Sequence, residues 1–256
     1  MVDVHSPGSL AQGALFCSAP GFHVIYFNNI LLVAAAGNEG PDAGTVSVPG
    51  NSRYVLTVTG VNSKSQFPFF PSRGPISPAN GDGYNKPDLA AVAGDINMPA
   101  PQASWLDSLI KPASLGAEPS DGNCIYAPGV IAPRSSSDPD QACSVKGNSK
   151  YRFMTGTSMA TPMAAGIGAD VIGYIRANGG SYKAVDVKAV MMETARDLSQ
   201  PRDVQGSGIV DGDKLARTVV ERVQAGLPVG NVAYVIAMRL LVGFIKAGLN
   251  HKGRYH

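Results

Sequence analysis

Leu31-Leu32-Val33-Ala34-Ala35-Ala36 carries no polar side chain and stops abruptly at Gly37-Asn38-Glu39-Gly40. A run this apolar and this short fits a buried strand that delivers an asparagine into a glycine-flanked turn. Tyr54 to Val61 alternates like a second strand, and helix-compatible stretches follow at Met163 to Ala177 and Val187 to Arg196. Apolar strands alternating with helices predict an α/β fold whose mainly parallel sheet is covered on its faces. Functional sites of such sheets form at the carboxyl edge of the strands. A chain of 256 residues is long enough for one domain with a three-layer core. Its 44% hydrophobic and 16% charged content argues against disorder throughout. A net charge of +2 gives no electrostatic basis for binding nucleic acid. Without C-x-x-C, H-E-x-x-H or a phosphate loop, the chain offers no pattern for zinc or nucleotide chemistry.

A second run bears more directly on chemistry: Gly156-Thr157-Ser158-Met159-Ala160-Thr161-Pro162, set ahead of the helical stretch. A nucleophilic serine needs its hydroxyl clear at a helix start, where outward N–H groups favour developing negative charge. Gly156 permits close approach of backbone and substrate. Pro162 is expected in the first turn, where a missing N–H costs nothing. A plain Ser/Thr cap followed by an ordinary proline is the alternative for this run. Asn38 also has two readings. It can be a turn residue tolerant of left-handed geometry, or a neutral amide donor for an oxyanion.

Together these runs resemble the serine and asparagine motifs of the subtilisin-like serine proteases, the subtilases. Further segments follow in family order. They are Val48-Pro49-Gly50, Ser72-Arg73-Gly74-Pro75, Lys86-Pro87-Asp88-Leu89-Ala90-Ala91 with Val92-Ala93-Gly94 as a variant ending, and Gln205 to Asp211 as a closing turn. The resemblance covers about Val2 to Arg217. It implies a three-layer subtilisin-like fold and peptide-bond hydrolysis through an acyl-enzyme on Ser158. Asn38 and the Ser158 N–H would hold the oxyanion. Ser6, Gly8, Gly37, Gly156 and Thr157 would line the groove for a polypeptide substrate, although Ser6-Pro7-Gly8 departs from the family's S-L-G at Pro7. No cofactor is implied. Structural calcium occurs in the family, but Asp121, Asp138 and Asp140 match no defined loop, so no metal is assigned. The family also implies secretion, although Met1 begins no signal peptide.

The family's acid and base motifs, D-[ST]-G and H-G-T-H, do not occur in this sequence. A serine hydroxyl is a poor nucleophile without an adjacent base. The histidines are His5, His23, His251 and His256, none in the family context. His5 alone falls in a segment expected to border the cleft, either as substitute base or as a lining residue. The expectation is therefore a catalytic domain lacking its N-terminal strands, inactive by itself, with Asp and His supplied by an upstream segment or a partner. The rival reading is a noncatalytic pseudoprotease or peptide-binding domain.

The domain reading is a partial peptidase domain over 1–217, with a long insertion-like loop at 96–151, and a C-terminal helical extension over 218–256. Cys124 and Cys143 flank a polar loop and can close a disulfide, while Cys17 reads as a small buried residue. Val232 to Ile245 is apolar but shorter than the roughly 20 residues of a span, and Arg239 interrupts it. It reads as a helix packed on the domain or on a partner rather than a membrane anchor.

Overall fold

The computed structural model describes residues 25, 28–77, 84–95, 124, 126, 129–138 and 143–230. Three strands, β1 (Leu32–Ala35), β2 (Val55–Val61) and β3 (Leu89–Val92), form a parallel sheet in the order β1-β2-β3. Leu32 pairs with Val55 and Val58 with Leu89. This is the parallel α/β arrangement expected from the apolar runs. Every residue of β2 is buried, including Thr57 and Thr59, the polar positions of its alternation. Thr57 tolerates this because its hydroxyl donates to the Gly50 carbonyl at 2.5 Å.

Helix α1 (Thr157–Ala177) lies on the sheet. Its buried stripe, Ala160, Ala164, Gly168, Val171 and Ile175, recurs at helical spacing and is small at its first three positions. Small residues let α1 approach closely, so that it shares one core with Leu56, Val58, Leu89 and Ala91. Helices α2 (Ala184–Thr194) and α4 (Gly212–Gln224) pack against α1, and α3 (Arg202–Gln205) is a single turn between them. The described residues thus carry the sheet and one helical layer of the three-layer expectation. Ile209 bridges to both Ala90 and Arg196, tying the closing turn onto β3.

Three expectations need adjustment. The helix begins at Thr157, so Pro162 is its sixth residue and lies beyond the first turn. The amide hydrogen that proline lacks would have reached the Ser158 carbonyl. The stretch 96–151 is not irregular throughout. Strands β4 (Val130–Pro133), β5 (Ser144–Val145) and β6 (Asn148–Met154) form an antiparallel sheet ordered β4-β6-β5. The Cys124–Cys143 disulfide and buried Phe153 form its small core. The alternation of half-buried and exposed positions in β4 is too short to stand out within a Pro- and Ser-rich segment. Gly94, at φ 94°, brings its α-carbon region against Gly129, where an added Cβ would lie 3.0 Å from the Gly129 Cα. The chain therefore returns to the end of β3 at Gly129, well before residue 151. Finally, a boundary at 217/218 would cut α4, whose Leu215 and Val219 both join the main core.

At the amino end of β2, remote from the turn after β1, sits a buried charge cluster. The Asp88 carboxylate accepts from Lys86 Nζ at 2.5 Å, Lys188 Nζ at 3.0 Å and the Thr57 N–H at 2.8 Å. Both ammonium groups also donate to the Val55 carbonyl. The cluster joins β2, the entry to β3 and α2. Burial pushes the Lys86 amine down to about 7, with neighbouring Asp88 opposing the shift and Lys188 adding to it. Burial alone would raise Asp88, but Lys188 and Lys86 more than offset it and hold the carboxyl below its ordinary value. Between about pH 7 and 10.5 the unfolded chain therefore binds a proton at Lys86 that the folded chain does not. Folding stability at this site should rise with pH across that window. Urea midpoints measured from pH 7 to 10 should increase, and Lys86→Met should flatten the increase. An identical slope in the variant would refute the assignment.

No helix among the described residues is long and apolar enough to cross a membrane. Val232 to Ile245 lies outside the described residues, as does Cys17.

Candidate active site

The turn after β1 and the start of α1 meet. Gly156, the residue preceding α1, offers no side-chain cap, so the orphan N–H groups of the first turn need outside acceptors. Asn38 supplies one. Its Oδ1 accepts from the Thr157 N–H at 3.0 Å, across 119 residues of sequence, and from the Thr157 hydroxyl at 3.0 Å. That hydroxyl also lies 3.2 Å from the Gly37 carbonyl. Two donors converging on one end of a carboxamide require oxygen there. The amide nitrogen is thereby turned away, and it donates to no described residue.

Ser158 is the second residue of α1 and is exposed. Among the described residues its hydroxyl has no hydrogen-bond partner. The Met159 N–H turns back to the Gly156 carbonyl, whereas the Ser158 N–H finds no acceptor among the described residues. The Ser158 hydroxyl and N–H and the Asn38 carboxamide thus lie at one helix tip, where the helix dipole adds positive potential, and no described residue accepts from these three donors. This set can receive negative charge on an oxygen.

The Asn38 turn is held rigidly. The Asn38 N–H and the Ser72 hydroxyl both donate to Glu39 Oε2, each at 2.9 Å, and the Glu39 N–H donates to Ser72 Oγ at 3.1 Å. The Ser72 N–H donates to the Gly37 carbonyl and the Gly40 N–H to the Phe70 carbonyl. Gly37 adopts φ 111°, and a Cβ there would come within 2.6 Å of Ser72 Oγ. Only glycine fits both demands. The sequence motifs alone give neither Glu39 nor Ser72 a role. Ser72 stands in the Ser72-Arg73-Gly74-Pro75 element, and that element was the available signal.

Of the residues expected at the site, the structure brings together Ser158, Asn38, Gly37, Gly156 and Thr157. Thr157 departs from its expected place in the substrate groove. Its side chain is fully buried and engaged with Asn38 and Gly37, so it fixes the turn rather than facing a ligand. Gly156 is also buried, and a side chain there would begin 3.5 Å from Asn38 Nδ2. Ser6 and Gly8 lie outside the described residues, as do all four histidines. Of the aspartates weighed for calcium, Asp121 and Asp140 are likewise outside them, and the Asp138 carboxylate pairs with Arg152.

The model of the subtilase family matches residues 8–210. The chain belongs to the subtilase family. Among relatives, this subtilase chain is similar to the serine protease AprX of Bacillus subtilis, with 31% identity over 150 residues, covering 56% of this chain and 26% of AprX. It is also similar to the subtilisin-like protease SBT6.1 of Arabidopsis thaliana, with 37% identity over 71 residues, 27% of this chain and 7% of that one. Among solved structures, a lanthipeptide protease aligns with a TM-score of 0.54 at 18% identity, covering 77% of this chain and 53% of its own. The prenylagaramide maturation protease PagA aligns at 0.50 and 17% identity, covering 76% and 52%. At such identities these structures speak for the shared α/β fold. The chain spans about a quarter of AprX and about half of each solved structure.

Proposed function

We propose that this chain is the serine-bearing part of a subtilisin-type endopeptidase. Its substrate is a polypeptide. Ser158 Oγ attacks the scissile carbonyl carbon while a histidine base takes its proton. The tetrahedral oxyanion accepts from Asn38 Nδ2 and the Ser158 N–H. The C–N bond then breaks, the amine leaves with the proton, and water releases the acyl group from Ser158. The histidine and its aspartate come from an upstream segment or a partner chain. Gly37, Gly156 and the Ser6–Gly8 segment border the substrate. Acyl transfer of this kind uses no cofactor, and we assign no metal. The disulfide fits an oxidising, extracytoplasmic compartment.

The observation that carries this reading is the Asn38 carboxamide anchored by its oxygen to the first residue of the serine helix. The experiment joins the chain to a segment bearing D-[ST]-G and H-G-T-H and treats it with a fluorophosphonate. Ser158 should be labelled, and peptide turnover should follow. Asn38→Ala should lower kcat by about 10²–10³ with KM little changed, a magnitude that belongs to the corresponding donor of a subtilisin. An unlabelled Ser158 together with tight peptide binding would assign the groove to the noncatalytic alternative.

A further inference from the structure

The turn that carries Asn38 lies between Gly37 and Gly40, so its own backbone does little to hold it in one shape. Asn38 and Glu39 are both exposed, and packing does little to fix them. The hold comes from Ser72, which is fully buried in the stretch after β2. On one side of Asn38, the Ser72 N–H donates to the Gly37 carbonyl at 3.0 Å. On the other side, Ser72 Oγ accepts from the Glu39 N–H at 3.1 Å and donates to Glu39 Oε2 at 2.9 Å. That same Oε2 accepts from the Asn38 N–H at 2.9 Å. One serine therefore fixes the residues before and after Asn38 and, through Glu39, the Asn38 backbone. Thr157 holds only the far end of the side chain, at Oδ1. The direction of Nδ2 depends on both ends.

We propose that Ser72 is a positioning residue for the oxyanion donor, acting through Glu39 on Asn38. The inference rests on the oxyanion role given to Asn38 above. A displaced donor costs turnover rather than binding, because the charge it meets exists only in the transition state. The effect is smaller than that of losing the donor itself, since Thr157 still holds the carboxamide when Ser72 is gone. Both described bonds to the Glu39 side chain end on Oε2. A glutamine can place its single carbonyl oxygen there, whereas alanine cannot.

The test uses the chain completed by its acid- and base-bearing segment, with peptide turnover and the urea midpoint measured for each variant. Ser72→Ala should lower kcat about tenfold and leave KM within about twofold. In the Asn38→Ala background the same change should cost less than about twofold, because the donor it positions is already gone. Glu39→Ala should match Ser72→Ala, and Glu39→Gln should keep kcat within about threefold of the parent. Glu39 is exposed, so its two variants decide the matter should Ser72→Ala fail to fold. Losses that multiply between Ser72→Ala and Asn38→Ala, or a Glu39→Gln as slow as Glu39→Ala, would overturn the inference. An active parent whose kcat neither alanine variant moves would overturn it equally, and would leave the catalytic reading standing. A parent without turnover would instead remove the catalytic reading, and the positioning role with it.

Discussion

Replacing Ser158 with alanine is expected to abolish peptide turnover in the protein supplied with its acid and base. The loss should be about 10⁶ in kcat, the magnitude known for the nucleophile of a subtilisin. The physical reason is that the covalent route ends with the hydroxyl. Asn38 and the helix-tip N–H can still bind a developing oxyanion, leaving roughly 10³ of catalysis over water. Folding should be nearly unaffected. Ser158 is exposed and engages no described side chain, so the variant should unfold within about 0.5 kcal/mol of the parent. Turnover of the variant, measured with KM and the urea midpoint on one preparation, separates chemistry from stability. Persisting hydrolysis at an unchanged midpoint would remove Ser158 from the mechanism.

Asp88→Asn is expected to destabilise the fold by about 3–5 kcal/mol. Lys86 and Lys188 are buried, and Asp88 bonds to both. An asparagine keeps the volume and can keep an acceptor oxygen at the position of Oδ2, where all three donors meet, but it removes the countercharge. Most domains have only about 5–15 kcal/mol of stability, so this variant should lose a large share of it. The triple variant Asp88→Leu, Lys86→Met, Lys188→Met should recover most of that loss, because removing a whole buried ionic cluster avoids an unpaired charge. Urea unfolding of both variants decides the matter. A single variant within about 1 kcal/mol of the parent would mean that the lysines meet the loss of countercharge by giving up a proton, as burial already inclines Lys86 to do.

The sequence carried the chemistry of the site further than its support. Ser158 and Asn38 stand out in the sequence because each occupies a run whose residue types suit only a few backbone settings. Their contact was not, since the hydrogen bond joining them spans 119 positions. Glu39 and Ser72 were overlooked for the same reason. A serine in a Phe- and Pro-rich loop has many uses, and only the fold places its hydroxyl between a carboxylate and a backbone N–H. Thr157 shows the reverse. The resemblance placed it in the groove, but helical rotation turns neighbouring side chains about 100° apart, and this one lies inward against Asn38 and Gly37.

Local pattern marked β1, β2, α1 and α2 and the parallel α/β class, because apolar periodicity acts within a few residues and admits few alternatives. The family motifs determined which serine and which asparagine to watch. Tertiary structure decided what periodicity cannot encode. It turned the Asn38 carboxamide oxygen toward the serine helix, folded the end of the insertion into a disulfide-linked sheet, and buried two lysines around Asp88. Each depends on groups distant in sequence meeting, and around Asp88 they meet in a buried interior, where an unpaired donor or charge costs more than the chain can tolerate.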